Sequence, residues 1–169
     1  RFILGQTTQG DPIFKSILEM PHLLVAGSTG SGKSVFLNVL LASLLLQTNQ
    51  NFKLLLIDPK QIELASFGSI EHLLSPVLSK PKEILQALRW AIEEMELRYT
   101  LFQKHQVKNL QSFLDKSSEI LPYVIIVIDE FADLMFSVEG KMIEDAVAIL
   151  AAKARAAGIH IVLATQRPS

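Results

Sequence analysis

The sequence predicts an α/β fold, a mostly parallel sheet with helices on both faces, and three observations predict it. Apolar runs of strand length alternate with longer segments of helical period. The runs are unbroken Val, Ile and Leu rather than apolar–polar alternations, as strands buried on both faces require. The 169 residues, 49% of them hydrophobic, suit one compact domain, since a chain of this size hides about 70% of its unfolded surface.

The strand-like runs are residues 22–26, 53–57, 123–128 and 160–164. A fifth, around 73–78, is interrupted by Pro76, which lacks an amide for a ladder and belongs at a sheet edge. Residues 81 to about 106 carry Ile84, Leu88, Ala91 or Ile92, Met95, Tyr99 and Phe102 at spacings of three and four, an amphipathic helix. Residues 139–157 form a second, alanine-rich helix that Gly158 stops. No repeat, low-complexity linker or long charge run divides the chain, so residues 1–169 read as a single domain. The start at Arg1 and the stop at Ser169 straight after a strand suggest a piece of a longer protein, truncated at its C-terminal end.

Composition excludes several classes. Without cysteine there is no disulfide framework and no thiolate metal site, and the lack fits a reducing, cytoplasmic setting. Sixteen Lys and Arg against seventeen Asp and Glu leave a formal charge of −1, so nucleic acid or anionic membrane must be recognised locally, not by bulk charge. Mean hydropathy is high at +0.32. Yet the longest apolar stretch, residues 35–46, is broken by Asn38 and Ser43 and falls short of the ~20 residues of a membrane span. No signal peptide is visible. Residues 80–108 hold six Lys and Arg against four Glu, a balance of charge that supports no groove for nucleic acid.

After the first strand comes Gly27-Ser28-Thr29-Gly30-Ser31-Gly32-Lys33-Ser34, a full G-x-x-x-x-G-K-[ST] match leading into an apolar helical stretch. Glycines let a backbone fold tightly enough to point its amides at phosphate oxygens, and the helix start adds partial positive charge. Lys33 would bridge the β and γ phosphates and the Ser34 hydroxyl would ligate Mg²⁺. The plain alternative is a Gly/Ser turn that only connects strand to helix.

The run 123–128 ends in Asp129-Glu130, where a parallel sheet places its ligand crevice. Asp129 would hold the Mg²⁺ shell, and Glu130, pointing the other way by the period of a strand, would polarise the attacking water. Alternatively, the pair simply starts a helix near Phe131, where acids are favoured. The last strand ends in Thr165-Gln166-Arg167-Pro168, and in P-loop ATPases with a catalytic Glu such a strand lies between the other two, so Gln166 would face and sense a γ phosphate; its plain reading is a helix or turn cap. Arg155 reads first as a cation at a helix C-terminus and second as an arginine reaching a neighbouring subunit's phosphate. No [NT]-K-x-D or L-S-G-G-Q motif occurs, which counts against a GTPase switch and a transporter cassette. A small-molecule kinase would not need Glu130 beside Asp129, so ATP hydrolysis is favoured.

These residues resemble a specific family. Met20-Pro21-His22 running into the loop through Ser34, Asp58-Pro59-Lys60 with Glu63-Leu64, Asp129-Glu130-Phe131-Ala132-Asp133-Leu134, Ala154-Arg155-Ala156-Ala157-Gly158-Ile159-His160 and Ala164-Thr165-Gln166-Arg167-Pro168-Ser169 look like the motor of the FtsK/SpoIIIE family. The resemblance implies a RecA-like P-loop NTPase core and a hexameric ring that hydrolyses ATP with Mg²⁺ and pumps double-stranded DNA in chromosome segregation and cell division. It also implies a membrane anchor, in the inner membrane, and an arginine supplied in trans, Arg155 or a residue beyond Ser169. Asp58, Lys60 and Glu63 match the family as well, but by themselves read only as a turn after a strand, with no assigned role. The rivals are a related ring ATPase moving protein in secretion or DNA in conjugation, and a non-catalytic nucleotide-binding module, disfavoured by an intact Lys33, Asp129 and Glu130.

Overall fold

The computed structural model describes residues 2–28, 30–47 and 51–166. The four expected strands are there: β3 (His22–Ala26), β4 (Phe52–Ile57), β5 (Tyr123–Ile128) and β6 (Ile159–Thr165). They form one parallel sheet in the order β3-β6-β5-β4. The last strand therefore lies between the strand before the glycine loop and the strand before the acidic pair. The segment around 73–78 lies beside β4, as expected of an edge, but makes only the isolated bridges Leu54 to Leu73 and Ile57 to Leu78. Pro76 stands between the two bridges, and its missing amide explains the gap.

A hairpin of β1 (Phe2–Gln6) and β2 (Pro12–Lys15), antiparallel, precedes this sheet and was not expected. Only Phe2 of its two strands is buried, which leaves little periodic signal to read. Phe2 sits edge-on to Phe36 of α1 (Lys33–Leu45), with ring centroids 6.1 Å apart.

Side chains alternate across each strand, so β4, β5 and β6 each feed two cores, whereas β3, at the sheet edge, has no buried residue and packs Leu23 and Val25 against one of them. Leu55 and Ile57 of β4, with Ile126 and Ile128 of β5, face α2 (Pro81–Lys104) and α5 (Gly140–Lys153). Leu54 and Leu56, with Ile125 and Val127, face the other way onto Leu37, Leu40, Leu41 and Leu44 of α1. A third cluster of Phe102, Leu110 and Phe113 seats α3 (Leu110–Lys116) under the end of α2. Asn109 caps α3 by accepting from the Ser112 amide at 2.9 Å. The remaining helix, α4 (Phe131–Leu134), is a single turn after the acidic pair. No helix among the described residues is long and apolar enough to cross a membrane.

The alanine-rich helix ends at Lys153, earlier than expected. The chain then turns to Gly158, whose φ of +74° and crowding against Leu110, 2.2 Å from where a Cβ would stand, admit only glycine. Beyond it, His160 is buried, and its Nδ1 donates to the Pro21 carbonyl at 3.2 Å. Burial lowers its pKa to about 4 against the help of that carbonyl, and the nearby His22 and Arg155 push the same way as burial. Between that value and the ordinary histidine range the unfolded chain binds a proton that the folded chain does not, so stability falls as pH falls through this window. The loss expected between pH 7 and pH 5 is about 2 kcal/mol. Urea unfolding of the parent and of His160→Gln at both pH values checks it: the variant should lose less on acidification, and an equal loss in both would refute the assignment.

Candidate nucleotide site

The glycine loop joins β3 to α1, and Gly27 donates its amide to the Thr165 carbonyl at 3.1 Å, which ties the loop to the tip of β6. Gly30 and Gly32 have φ of 81° and 92°, the left-handed backbone that glycine adopts without penalty. Gly32 is the N-cap of α1, with no side-chain cap and no acid in the first turn. That leaves the positive end of the helix to an outside anion. Thr29, the remaining expected phosphate-loop residue, lies outside the described residues.

Lys33 is buried and so needs a counter-charge. Its Nζ lies 2.5 Å from Asp129 Oδ1 and 3.6 Å from Glu130 Oε2. Asp129 and Glu130 are 3% and 4% exposed, so this is a triad with little water around it. Burial pushes the Asp129 carboxyl above the usual range, Lys33 opposes that, and the negative charges of Asp58 and Glu63 reinforce it. Glu130 corrects one expectation. The strand ends at Ile128, and Glu130 takes a left-handed φ of 52° at the start of α4, so both carboxylates turn toward Lys33. Such a backbone costs a non-glycine residue about 1–2 kcal/mol, and strain of this kind gathers at functional sites. Glu130 is held there by the Thr165 hydroxyl at 3.2 Å and by the Gln166 amide, 3.1 and 3.3 Å from its two oxygens.

On the other side of the loop the Ser34 hydroxyl donates to Glu63 Oε1 at 2.6 Å. Glu63 stands in the turn after β4, which Asp58 organises. Fully buried, Asp58 accepts from the amides of Lys60 at 3.2 Å and Leu64 at 3.0 Å. Lys60 pairs with Asp133 of α4 at 3.0 Å. Lys33, Ser34, Asp129, Glu130 and Gln166 are thus brought together at the C-terminal ends of the strands, and the structure adds Glu63 and Thr165, which sequence reasoning left without a part.

Arg155 is not among them. It is exposed, beside Lys153, Tyr123 and His160, at the end of the sheet where β5 and β6 begin. Because α5 stops at Lys153, that lysine, and not Arg155, is the cation in its last turn.

Among the described residues no three carboxylates or imidazoles converge tightly enough to hold a metal unaided. The donors at hand are hard oxygens, the Ser34 hydroxyl and the buried Asp129 carboxylate. That set fits Mg²⁺, which keeps several waters and takes the rest of its ligands from phosphates.

A parallel sheet with a phosphate-loop motif after one strand, an acidic pair after another and a third strand between them is a RecA-like P-loop NTPase core. Within that class the chain belongs to the FtsK/SpoIIIE family, whose sequence profile matches residues 2–169. It is 48% identical over 177 residues to the DNA translocase FtsK of Staphylococcus epidermidis, covering 98% of this chain and 22% of that protein. To the DNA translocase FtsK of Haemophilus influenzae it is 43% identical, covering 98% of this chain and 36% of the relative. Among solved structures, the pCW3 conjugation coupling protein TcpA with ATPγS superposes with a TM-score of 0.80 at 31% identity, over 99% of this chain and 48% of that one. The cytoplasmic domain of EssC shares the fold at a TM-score of 0.86 and 23% identity, over 98% of this chain and 33% of that one.

Proposed function

We propose that this chain is the nucleotide-hydrolysing part of a motor that moves double-stranded DNA, working in a homo-hexameric ring during chromosome segregation and cell division. The observation that carries the reading is the buried triad, with Lys33 2.5 Å from Asp129 and 3.6 Å from Glu130 directly beneath the phosphate loop. The names of its FtsK relatives support DNA as the cargo. The likeness to TcpA keeps a conjugation motor as the second reading.

In this reading the loop from Gly27 to Ser34 cradles ATP, Thr29 included, and Lys33 lies along the β and γ phosphates. Ser34 and Asp129 hold Mg²⁺, which when bound offsets phosphate charge. Glu130 accepts the proton of the attacking water, and its grip by Thr165 and the Gln166 amide fixes its aim. Arg155, at the far end of the sheet, reaches a phosphate only if that phosphate belongs to a neighbouring subunit. Membrane attachment belongs to a segment outside this chain.

The Gln166 side chain is exposed at the tip of β6, next to Glu130. It can donate to a γ phosphate and accept from water, contacts that ADP does not offer, and a ligand shifts a conformational equilibrium only through such a difference. In the intact motor, Gln166→Ala should keep ATP affinity but uncouple hydrolysis from DNA movement. ATP consumption and displacement of a triplex strand from a duplex track, followed in one reaction, test both the motor and this role. Absence of displacement by the parent sinks the translocase reading. Losses by one common factor in the variant would limit Gln166 to chemistry.

A further inference from the structure

A serine hydroxyl has one hydrogen and two lone pairs, so it can ligate a cation well only if its hydrogen is directed elsewhere. Near the start of a helix that hydrogen has competing acceptors, chiefly carbonyls of the preceding turn. In this structure it goes to a carboxylate: Ser34 Oγ donates to Glu63 Oε1 at 2.6 Å. That length lies within the range of about 2.5–2.7 Å for a hydroxyl on an ionised acceptor, a bond roughly twice as strong as a neutral one. Asp129, the other carboxylate of the expected metal shell, has its Oδ1 committed to Lys33 at 2.5 Å.

Glu63 is also held where it is. The next residue, Leu64, is fully buried in the core beneath α1, and its amide is bound by the buried carboxylate of Asp58 at 3.0 Å. The turn leading to it passes through Gln61 in a left-handed backbone with φ of 56° and is pinned at Lys60 by the same Asp58 and by Asp133. An anchored turn that delivers one carboxylate onto one hydroxyl is a means of setting that hydroxyl's rotation.

We propose that Glu63 is a positioning residue for the metal: its carboxylate takes the hydrogen of Ser34 and so turns the lone pairs of that oxygen toward the bound Mg²⁺. The inference rests on the reading above that Ser34 ligates the metal. Outer carboxylates that orient a ligand in this way are worth about 10- to 100-fold in metal affinity.

The test is a Mg²⁺ titration of binding of a fluorescent ATP analogue to this chain, with binding in EDTA as the metal-free baseline and circular dichroism as the check on folding. Glu63→Ala should raise the Mg²⁺ concentration for half-maximal binding roughly 10- to 100-fold while leaving affinity in EDTA unchanged. Glu63→Gln, whose amide oxygen still accepts from Ser34, should shift it less. Adding Glu63→Ala to Ser34→Ala should cost nothing further, because the hydroxyl to be oriented is gone. An unchanged Mg²⁺ requirement in Glu63→Ala, full additivity in the double variant, or an equal loss of affinity in EDTA overturns the proposal. If Ser34→Ala itself leaves the Mg²⁺ requirement unchanged, the metal assignment beneath it fails instead.

Discussion

Replacing Lys33 by Ala should abolish ATP hydrolysis, a fall of about a thousandfold or more. Two effects add. Among the described residues, Lys33 is the one cation in ion-pair contact with Asp129 and Glu130, so its removal leaves two carboxylates, 3% and 4% exposed, without their direct partner and with only the more distant Lys60 as a positive neighbour. It also removes the side-chain cation aimed at the phosphates, where negative charge must be stabilised in the transition state. Loss of one partner of a buried ion pair costs about 3–5 kcal/mol unless the remaining groups take up a proton. Asp129 is disposed to do so, since burial already raises its pKa and the lysine that restrains it would be absent. A thermal melt alongside the assay therefore separates lost chemistry from lost fold. A folded variant hydrolysing at the parental rate would remove the triad from the mechanism.

Glu130→Gln should behave differently. The amide keeps the shape of the side chain and an oxygen that still accepts from the Thr165 hydroxyl and the Gln166 amide. It cannot take a proton, so hydrolysis should fall by about 10²- to 10⁴-fold while ATP and Mg²⁺ still bind. Equilibrium binding of an ATP analogue and single-turnover hydrolysis, measured on one preparation, distinguish the cases. Binding lost in step with turnover would make Glu130 a support for the loop and not the base.

What could be read in advance depended on how far local pattern determines structure. Strands β4, β5 and β6 were legible because both of their faces are buried, which writes them as unbroken apolar runs; β3 is as apolar but lies at the sheet edge with Leu24 exposed, and the place of the last strand between the other two came from the pattern of P-loop ATPases and not from periodicity. The hairpin of β1 and β2 left no such trace, having Phe2 as the one buried side chain of its strands. Helix α3 is seven residues long, too short for periodicity to show, and stands on its Asn109 cap and the Phe102–Phe113 contact.

The phosphate loop and the acidic pair were legible because local chain order carries their chemistry. The direction of Glu130 was not. It depends on a left-handed backbone at a residue that is not glycine, held from 35 residues away by Thr165. Glu63 was missed for a similar reason, since its partner Ser34 is 29 residues distant and its own neighbourhood spells only a turn. The segment Asp58-Pro59-Lys60 now has a structural explanation in the two amides that Asp58 binds. Pairings of this kind come from the topology of the sheet, which brings the ends of β4, β5 and β6 to one edge.

The most direct measurement is the rate of ATP hydrolysis by the intact motor with and without double-stranded DNA, across a range of salt. A DNA translocase built on this core should hydrolyse ATP faster when duplex is present, and the acceleration should fade as salt displaces the protein from the phosphates. A rate indifferent to duplex DNA at every salt concentration, from a protein that binds ATP and assembles normally, would contradict DNA as the cargo and leave a motor for another polymer.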